Sequence, residues 1–425
     1  MSDQHSRPVR VSGKIKRPKI AIVLITGAND GGGGTGRRFA RIFQHFQHVQ
    51  QTESGVNVWL ITTPGFIEVM NRSSIAIDPD LNVIEISGDI GSTGGTPLDK
   101  VTSYRDYSAN LQALLEQEQF DLAHIPLPHL SYAAFMVRDG GNLRQVFSMT
   151  ATVGSFESMN WKAQLLYKIG YISSEAIDTL YTDVADRFPA FRDKFQVSPC
   201  SFTDYSRFRP AQEKRNYIVF AGRLEAYKNP YLFVDAVALC AERLRHDGWK
   251  CYLYGKGEFE QGIAARVDEL NLGDLIELGA TADLSPLLGE SKVFVSIQQT
   301  ENYPSQVLLE AMAAENAIVA TDVGETRRLV DEEVGTLFAE QTPERLADAI
   351  EELIQDSDLC RTRGRKARER VVGSHNVASY SKYMEQLWLG VVERHPTHIH
   401  TSSASIARLI LGSLVGELLR RVTGR

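Results

Sequence analysis

Cysteine is scarce in this chain of 425 residues, with four copies at Cys200, Cys240, Cys251 and Cys360 and no paired spacing among them. Scattered thiols of this kind exclude a disulfide framework and a cysteine-rich zinc site, and they suit a reducing compartment. Long apolar runs are lacking too, and nothing approaches the ~20 residues a membrane-spanning helix needs. There is no excess of positive charge. The 46 Lys+Arg against 53 Asp+Glu give a formal net charge of -7, which argues against a nucleic-acid partner held by phosphate contacts. Residues 1–18 are polar and basic, without an apolar core ahead of a cleavage site. No secretory signal is therefore expected there, and the chain reads as cytoplasmic.

What is present is an ordinary globular balance, 43% hydrophobic and 23% charged. The length exceeds what one core supports, so two large domains are expected. Apolar runs at 19–26, 56–61, 81–86, 121–127, 145–150, 176–182 and 195–201 mostly alternate with helical patterns. That alternation indicates a parallel, doubly wound α/β sheet. Further strands are expected at 217–221, 251–254, 275–279, 317–320 and 335–338.

The most informative stretch is 293–324. Val293–Ile297 is short and apolar enough for a buried parallel strand, and a polar turn follows at 298–302. Pro304 suits the first turn of a helix, where its missing N–H would be unpaired anyway. The helix carries Val307, Leu308, Ala311 and Met312, with Glu310 on a different face from Leu308 and Met312. A second buried strand, 317–320, ends in the loop Asp322-Val323-Gly324. A strand end, a loop and a helix start thus meet at one crevice edge, where open α/β sheets bind ligands. The helix start offers free N–H groups to an anion, and Glu310 is placed to accept from ligand hydroxyls. The glycine-rich 27–36 turn lies between the first strand and a helix expected at 37–49, and it lets backbone approach a ligand. Its spacing is not a clean Gly-x-Gly-x-x-Gly, so a nicotinamide oxidoreductase remains only a rival reading.

The residues Glu310-Ala311-Met312-Ala313 resemble the donor-site signature of family 4 glycosyltransferases. Gly222-Arg223-Leu224 with Lys228 resembles that family's Gly-Arg-Leu-x-x-x-Lys loop. Arg207-Phe208-Arg209-Pro210 resembles the end of its interdomain connector, and Gly335-Thr336-Leu337-Phe338 its later Gly-x-Leu strand. Two departures stand out. The usual first glutamate falls at Asn302, with the acid moved to Glu301, and Thr150-Ala151-Thr152-Val153-Gly154 lacks the family's usual histidine.

The resemblance implies the GT-B fold, two Rossmann-like parallel-sheet domains facing across a cleft. It implies an acceptor-side domain (19–208), a nucleotide-sugar domain (209–373) and a helix that crosses back (374–395). The residues outside it add an expected flexible basic arm (1–18) and an amphipathic tail (396–425). The implied reaction moves a sugar from a UDP- or GDP-type donor to a carbohydrate or glycolipid acceptor, with retention and without metal or further cofactor. Arg223 and Lys228 would hold the diphosphate, Glu301 or Asn302 the sugar, and Glu310 the ribose hydroxyls. Gly33, Gly34, Gly222, Gly255, Tyr303, Pro304, Ser305 and Gln306 would line the donor. A non-catalytic nucleotide-sugar-binding subunit and a nucleotide-sugar epimerase are the alternatives.

Two features stand apart from the donor site. His124 and His129 flank the end of one strand, and His129 is a candidate on the acceptor side. In 403–423, Ile406, Leu409, Ile410, Leu414, Val415, Leu418, Leu419 and Val422 recur at helical spacing beside Arg408, Arg420 and Arg421. Such a basic amphipathic helix fits a membrane surface, the protein's own body or a second subunit.

Overall fold

Lys19–Leu24 forms β1, and every residue after Lys19 is fully buried. A strand apolar on both faces needs cover on both, which is the setting of a central parallel strand. The structure is a computed structural model and describes residues 17–25, 33–49, 54–73, 75–86, 110, 111, 113–130, 143–281, 283–301, 303 and 305–394. β1 lies between β2 (Asn57–Thr62) and β4 (Leu122–Ile125), parallel to both. With β3 (Val83–Glu85), β5 (Arg144–Met149), β6 (Ala176–Thr179) and β7 (Phe195–Val197) they form one sheet. Its order is β3-β2-β1-β4-β5-β6-β7.

The second sheet has the order β10-β9-β8-β11-β12-β13. Its strands are β8 (Arg215–Ala221), β9 (Lys250–Tyr254), β10 (Ile276–Gly279), β11 (Ser291–Ser296), β12 (Ala317–Thr321) and β13 (Gly335–Phe338). All of its pairings are parallel. The chain leaves β8 toward β9 and β10, then returns to β8's other side as β11. That reversal creates the switch point at which α/β sheets open a crevice beyond their carboxyl ends. Around this sheet Phe233, Trp249, Leu253, Val295 and Ile350 belong to one continuous core. The helix Pro343–Gln355 shows how the sequence specifies its part. Pro343 fits the first position, Thr342 caps by accepting from Arg345 N, and Leu346, Ile350 and Leu353 turn one stripe inward.

Contacts divide the chain into two compact units. One comprises Met1–Phe147, Leu165–Ala176 and Glu385–Arg425, and the other Ser148–Gln164 and Ile177–Met384. All four cysteines are free and buried. Burial pushes the thiol of Cys240 up to about 12 and that of Cys360 to about 11.

Several expected boundaries move. The first helix is Gly33–Val49, so Gly33 and Gly34 belong to its first turn and not to a preceding loop. The first N–H groups of a helix need no intrahelical partner, which lets a glycine-rich start be absorbed. The strand expected to reach 182 stops at Thr179, whose hydroxyl accepts from Tyr181 N at 3.2 Å and turns the chain. The helix expected within 374–395 runs from Val377 to Glu393, while Ser374 closes the preceding helix. Asn376 accepts from Ser379 N at 2.9 Å and caps the new start.

His124 sits fully buried within β4, not at its end. Trp388 Nε1 donates to its Nδ1 at 2.9 Å, and burial drops the imidazole to about pH 3. It is a neutral core group. His129 lies in the Pro128–Leu130 turn. The 1–16 part of the arm and the 403–423 segment lie outside the described residues. Among the described residues no helix is long and apolar enough to cross a membrane.

Candidate functional site

The loop after β8 carries two cations on one ring. Residues 226–228 make a single 3-10 turn, and Asn229 closes it at φ 52°, a left-handed conformation that asparagine tolerates better than most residues. Pro230 then opens the helix Pro230–Leu239. Within this turn the Arg223 guanidinium and the Lys228 ammonium each lie 5.1 Å from the Tyr227 ring centre. Arg223 also donates to the Tyr227 hydroxyl and reaches Glu225 Oε1 at 3.3 Å. Its side chain is 68% exposed. Lys228 is more enclosed and donates to Gln298 Oε1. Burial, and next the charge of Arg223, bring the lysine down to about 8.

Beside this loop a cavity of about 430 Å³ is lined by Gly222, Tyr254, Gly255, Lys256, Ala280, Thr281 and Leu284. These residues end β8, β9 and β10 or follow them. Their backbones extend the ladder past the strands, with Gly222 N donating to Tyr254 O at 3.0 Å and Gly255 N to Gly279 O at 2.8 Å. Gly255 is required by this pairing, because an added Cβ would sit 1.8 Å from Gly222 O. Gly222 itself is not crowded, since its added Cβ meets only Lys228 Cδ at 3.9 Å. Tyr254 at the cavity wall is oriented by its hydroxyl, which donates to Glu277 at 2.7 Å.

The segment after β11 supplies the acids. Ser305 precedes the helix Gln306–Ala313 without capping it through its side chain. Leu308, Leu309 and Met312 face the core, leaving Glu310 half-buried on another side. Burial raises the Glu310 carboxyl to about 7; the charge of Arg207 opposes this and that of Asp283 adds to it. Arg207 pairs with Asp283 at 2.5 Å, and Asp283 adjoins the cavity-lining Leu284, so Glu310 feels the loop that walls the cavity. Glu301 turns its carboxylate to backbone, accepting from Tyr303 N at 2.7 Å and from Glu325 N at 3.1 Å. Tyr303 is buried, with the Arg328 guanidinium 4.3 Å from its ring centre.

The structure therefore gathers Gly222, Arg223, Lys228 and Gly255 at the carboxyl ends of β8 and β9. It lays Glu301, Tyr303, Ser305, Gln306 and Glu310 along the segment that leaves β11. Asn302 and Pro304 lie outside the described residues. Gly33 and Gly34 open a helix in the other compact unit, and an added Cβ at Gly34 meets nothing within 4 Å. Reading the sequence missed Tyr227, which seats both cations, and Gln298, which holds one of them. Tyr227 has a local signal, being an aromatic residue between the two cations. Gln298 has none, because its partner lies 70 residues away.

Residues 201–370 match the family described as "Glycosyl transferases group 1". Over 211 residues the chain is 25% identical to GalNAc-alpha-(1->4)-GalNAc-alpha-(1->3)-diNAcBac-PP-undecaprenol alpha-1,4-N-acetyl-D-galactosaminyltransferase of Campylobacter jejuni. That match covers 49% of this chain and 58% of the relative. Over 202 residues it is 25% identical to the D-inositol 3-phosphate glycosyltransferase of Paenarthrobacter aurescens, covering 44% of this chain and 49% of the relative. The chain thus spans about half the length of the curated relatives it matches. Among solved structures, Anabaena HepE in complex with UDP and glucose superposes with a TM-score of 0.64 at 14% identity, covering 88% of this chain and 99% of that one. Likeness at that identity carries the fold alone, and the fold is GT-B.

Proposed function

We propose that the chain is a retaining glycosyltransferase of the family 4 kind. It would move a sugar from a UDP- or GDP-type donor to a hydroxyl of a carbohydrate or glycolipid acceptor, in polysaccharide or glycoconjugate synthesis. The observation that carries this reading is the pair of cations seated on Tyr227 beside the cavity ending β8 and β9. When the glycosidic bond to the nucleoside diphosphate breaks, negative charge grows on the departing phosphate oxygens. A guanidinium and an ammonium fixed beforehand stabilise that charge without reorganising, and they do so without calling on a metal. The base and ribose would occupy the cavity. Glu310 would accept from ribose hydroxyls, and Ser305 and Gln306 would offer the free N–H groups of their helix start. Glu301 or Asn302 would address the sugar, and Gly33 and Gly34 would border the phosphates and the acceptor.

In this reading 209–373 carries the donor and 19–208 the acceptor. The relatives named above act on a polyprenyl-linked saccharide and on inositol phosphate, which favours a hydroxylated, phosphate-bearing or lipid-linked acceptor. The chain would work in the cytoplasm, with the 403–423 segment against the inner membrane face or a second copy. Liposome co-sedimentation unchanged by deletion of 400–425 rejects the membrane contact.

The direct test measures UDP or GDP release from a panel of donors in the presence of a lipid-linked oligosaccharide extract. Arg223→Ala and Lys228→Ala are each expected to lower turnover by orders of magnitude while the fold survives. Near-wild-type transfer by either variant overturns the reading.

A further inference from the structure

We propose that Gln298 is a positioning residue, aiming the Lys228 ammonium at the donor diphosphate while leaving its charge uncancelled. This rests on the transferase reading above. Gln298 lies two residues past the end of β11 and is 3% exposed. Its Oε1 accepts from Lys228 Nζ, and its Nε2 donates to the Glu301 carbonyl. An ammonium can only donate and a carbonyl can only accept, so the amide is fixed end for end. The backbone of the same residue is pinned as well. Its N–H donates to Thr321 Oγ1 at 3.1 Å, and that hydroxyl donates back to Gln298 O at 3.0 Å.

The choice of an amide matters. A carboxylate in this place would hold the lysine equally firmly, but the ion pair would neutralise the charge that the diphosphate needs. The amide takes one of the three ammonium N–H groups and leaves the others and the full charge for phosphate oxygens. The charged groups around the ammonium fit this arrangement. Arg223 and Glu225 face it from its own loop, where the Tyr227 ring lies below. From the segment after β11, Glu301 directs its carboxylate to the N–H groups of Tyr303 and Glu325.

The experiment titrates wild type, Gln298→Leu and Gln298→Glu with UDP, GDP and ADP by calorimetry between about pH 6.5 and 9.5, alongside thermal melts. Both variants are expected to bind the preferred nucleotide about tenfold more weakly near pH 7.5. The alkaline limb, where affinity falls away, should move up in pH for the glutamate variant, whose ion pair keeps the ammonium protonated. It should move down for the leucine variant, which loses the acceptor. A side chain that merely supports the fold would not move the limb in opposite directions. Unchanged affinity, shifts of one sign in both variants, or loss of the folded state in both overturns the proposal while the transferase reading stands. Failure of the wild-type protein to bind any of the three nucleotides overturns that reading, and this inference with it.

Discussion

The carboxylate of Glu301 spans two loops by accepting from the backbone N–H of Glu325 at 3.1 and 3.2 Å. Gly324 leaves room for that approach. It sits at φ 50°, and an added Cβ would fall 2.0 Å from Glu301 Oε2. The loop after β12 is therefore held to the loop after β11 by one acid. Glu301→Ala is expected to lower stability by about 1–3 kcal/mol, because it takes an ionised acceptor from two backbone donors. Gly324→Ala should cost at least as much through clash and backbone strain. Chemical denaturation of both variants against wild type measures this.

Gly255 and Gly34 should respond oppositely to a methyl group. Gly255→Ala drives Cβ into the Gly222 carbonyl at 1.8 Å, and a loss of about 2–4 kcal/mol with weakened nucleotide binding is expected. Gly34→Ala meets nothing within 4 Å inside a helix, and it should gain about 0.5 kcal/mol. Parallel melting curves compare the two.

Glu310 and Lys228 together set a pH window. The Glu310 carboxyl, lifted by burial from 4.5 to about 7, binds a proton in the folded chain that the unfolded chain gives up. Its contribution to stability is thus present below about 4.5 and is lost as pH rises through 7. Glu310→Gln, which keeps the neutral form, should raise the melting temperature at pH 8 and leave it near wild type at pH 5. In transfer assays kcat/KM should rise through about 7 as Glu310 ionises and fall through about 8 as Lys228 loses its proton.

Asp178 in β6 is buried and accepts from Ser148 Oγ at 2.9 Å, Tyr380 at 3.3 Å and Tyr383 at 3.0 Å. Asp178→Ala removes an acceptor shared by three hydroxyls and should cost on the order of 3 kcal/mol. Asp178→Asn, which keeps one carbonyl acceptor, should cost less. Urea unfolding of the two variants ranks them.

Much of the architecture was legible because buried parallel strands leave dense apolar runs. The stretches 19–26, 293–297 and 317–320 read as strands from their residues alone, and each overlaps a strand of the structure. The Arg223–Lys228 loop was legible through its resemblance to a family pattern and through a charge placement that diphosphate chemistry explains. What stayed hidden depends on pairing across the chain. His124 reads only as one of two histidines flanking a strand end until Trp388, 264 residues on, is seen donating to it. The need for glycine at 255 arises only when β8 and β9 lie side by side. Gln298 reads as one more polar turn residue until Lys228 meets it. The helix starts at 33 and 377 are hidden for a local reason, because glycine tolerance and an asparagine cap decide the first turn.

The four sequestered thiols give the native chain a chemical clock. None is open to a maleimide while the chain is closed, and Cys251 and Cys240 lie in the core of the second sheet. Any labelling must therefore wait for that part of the molecule to breathe open. The rate at which a nucleotide slows modification of each cysteine then reports which segments a bound donor clamps shut, with no engineered probe.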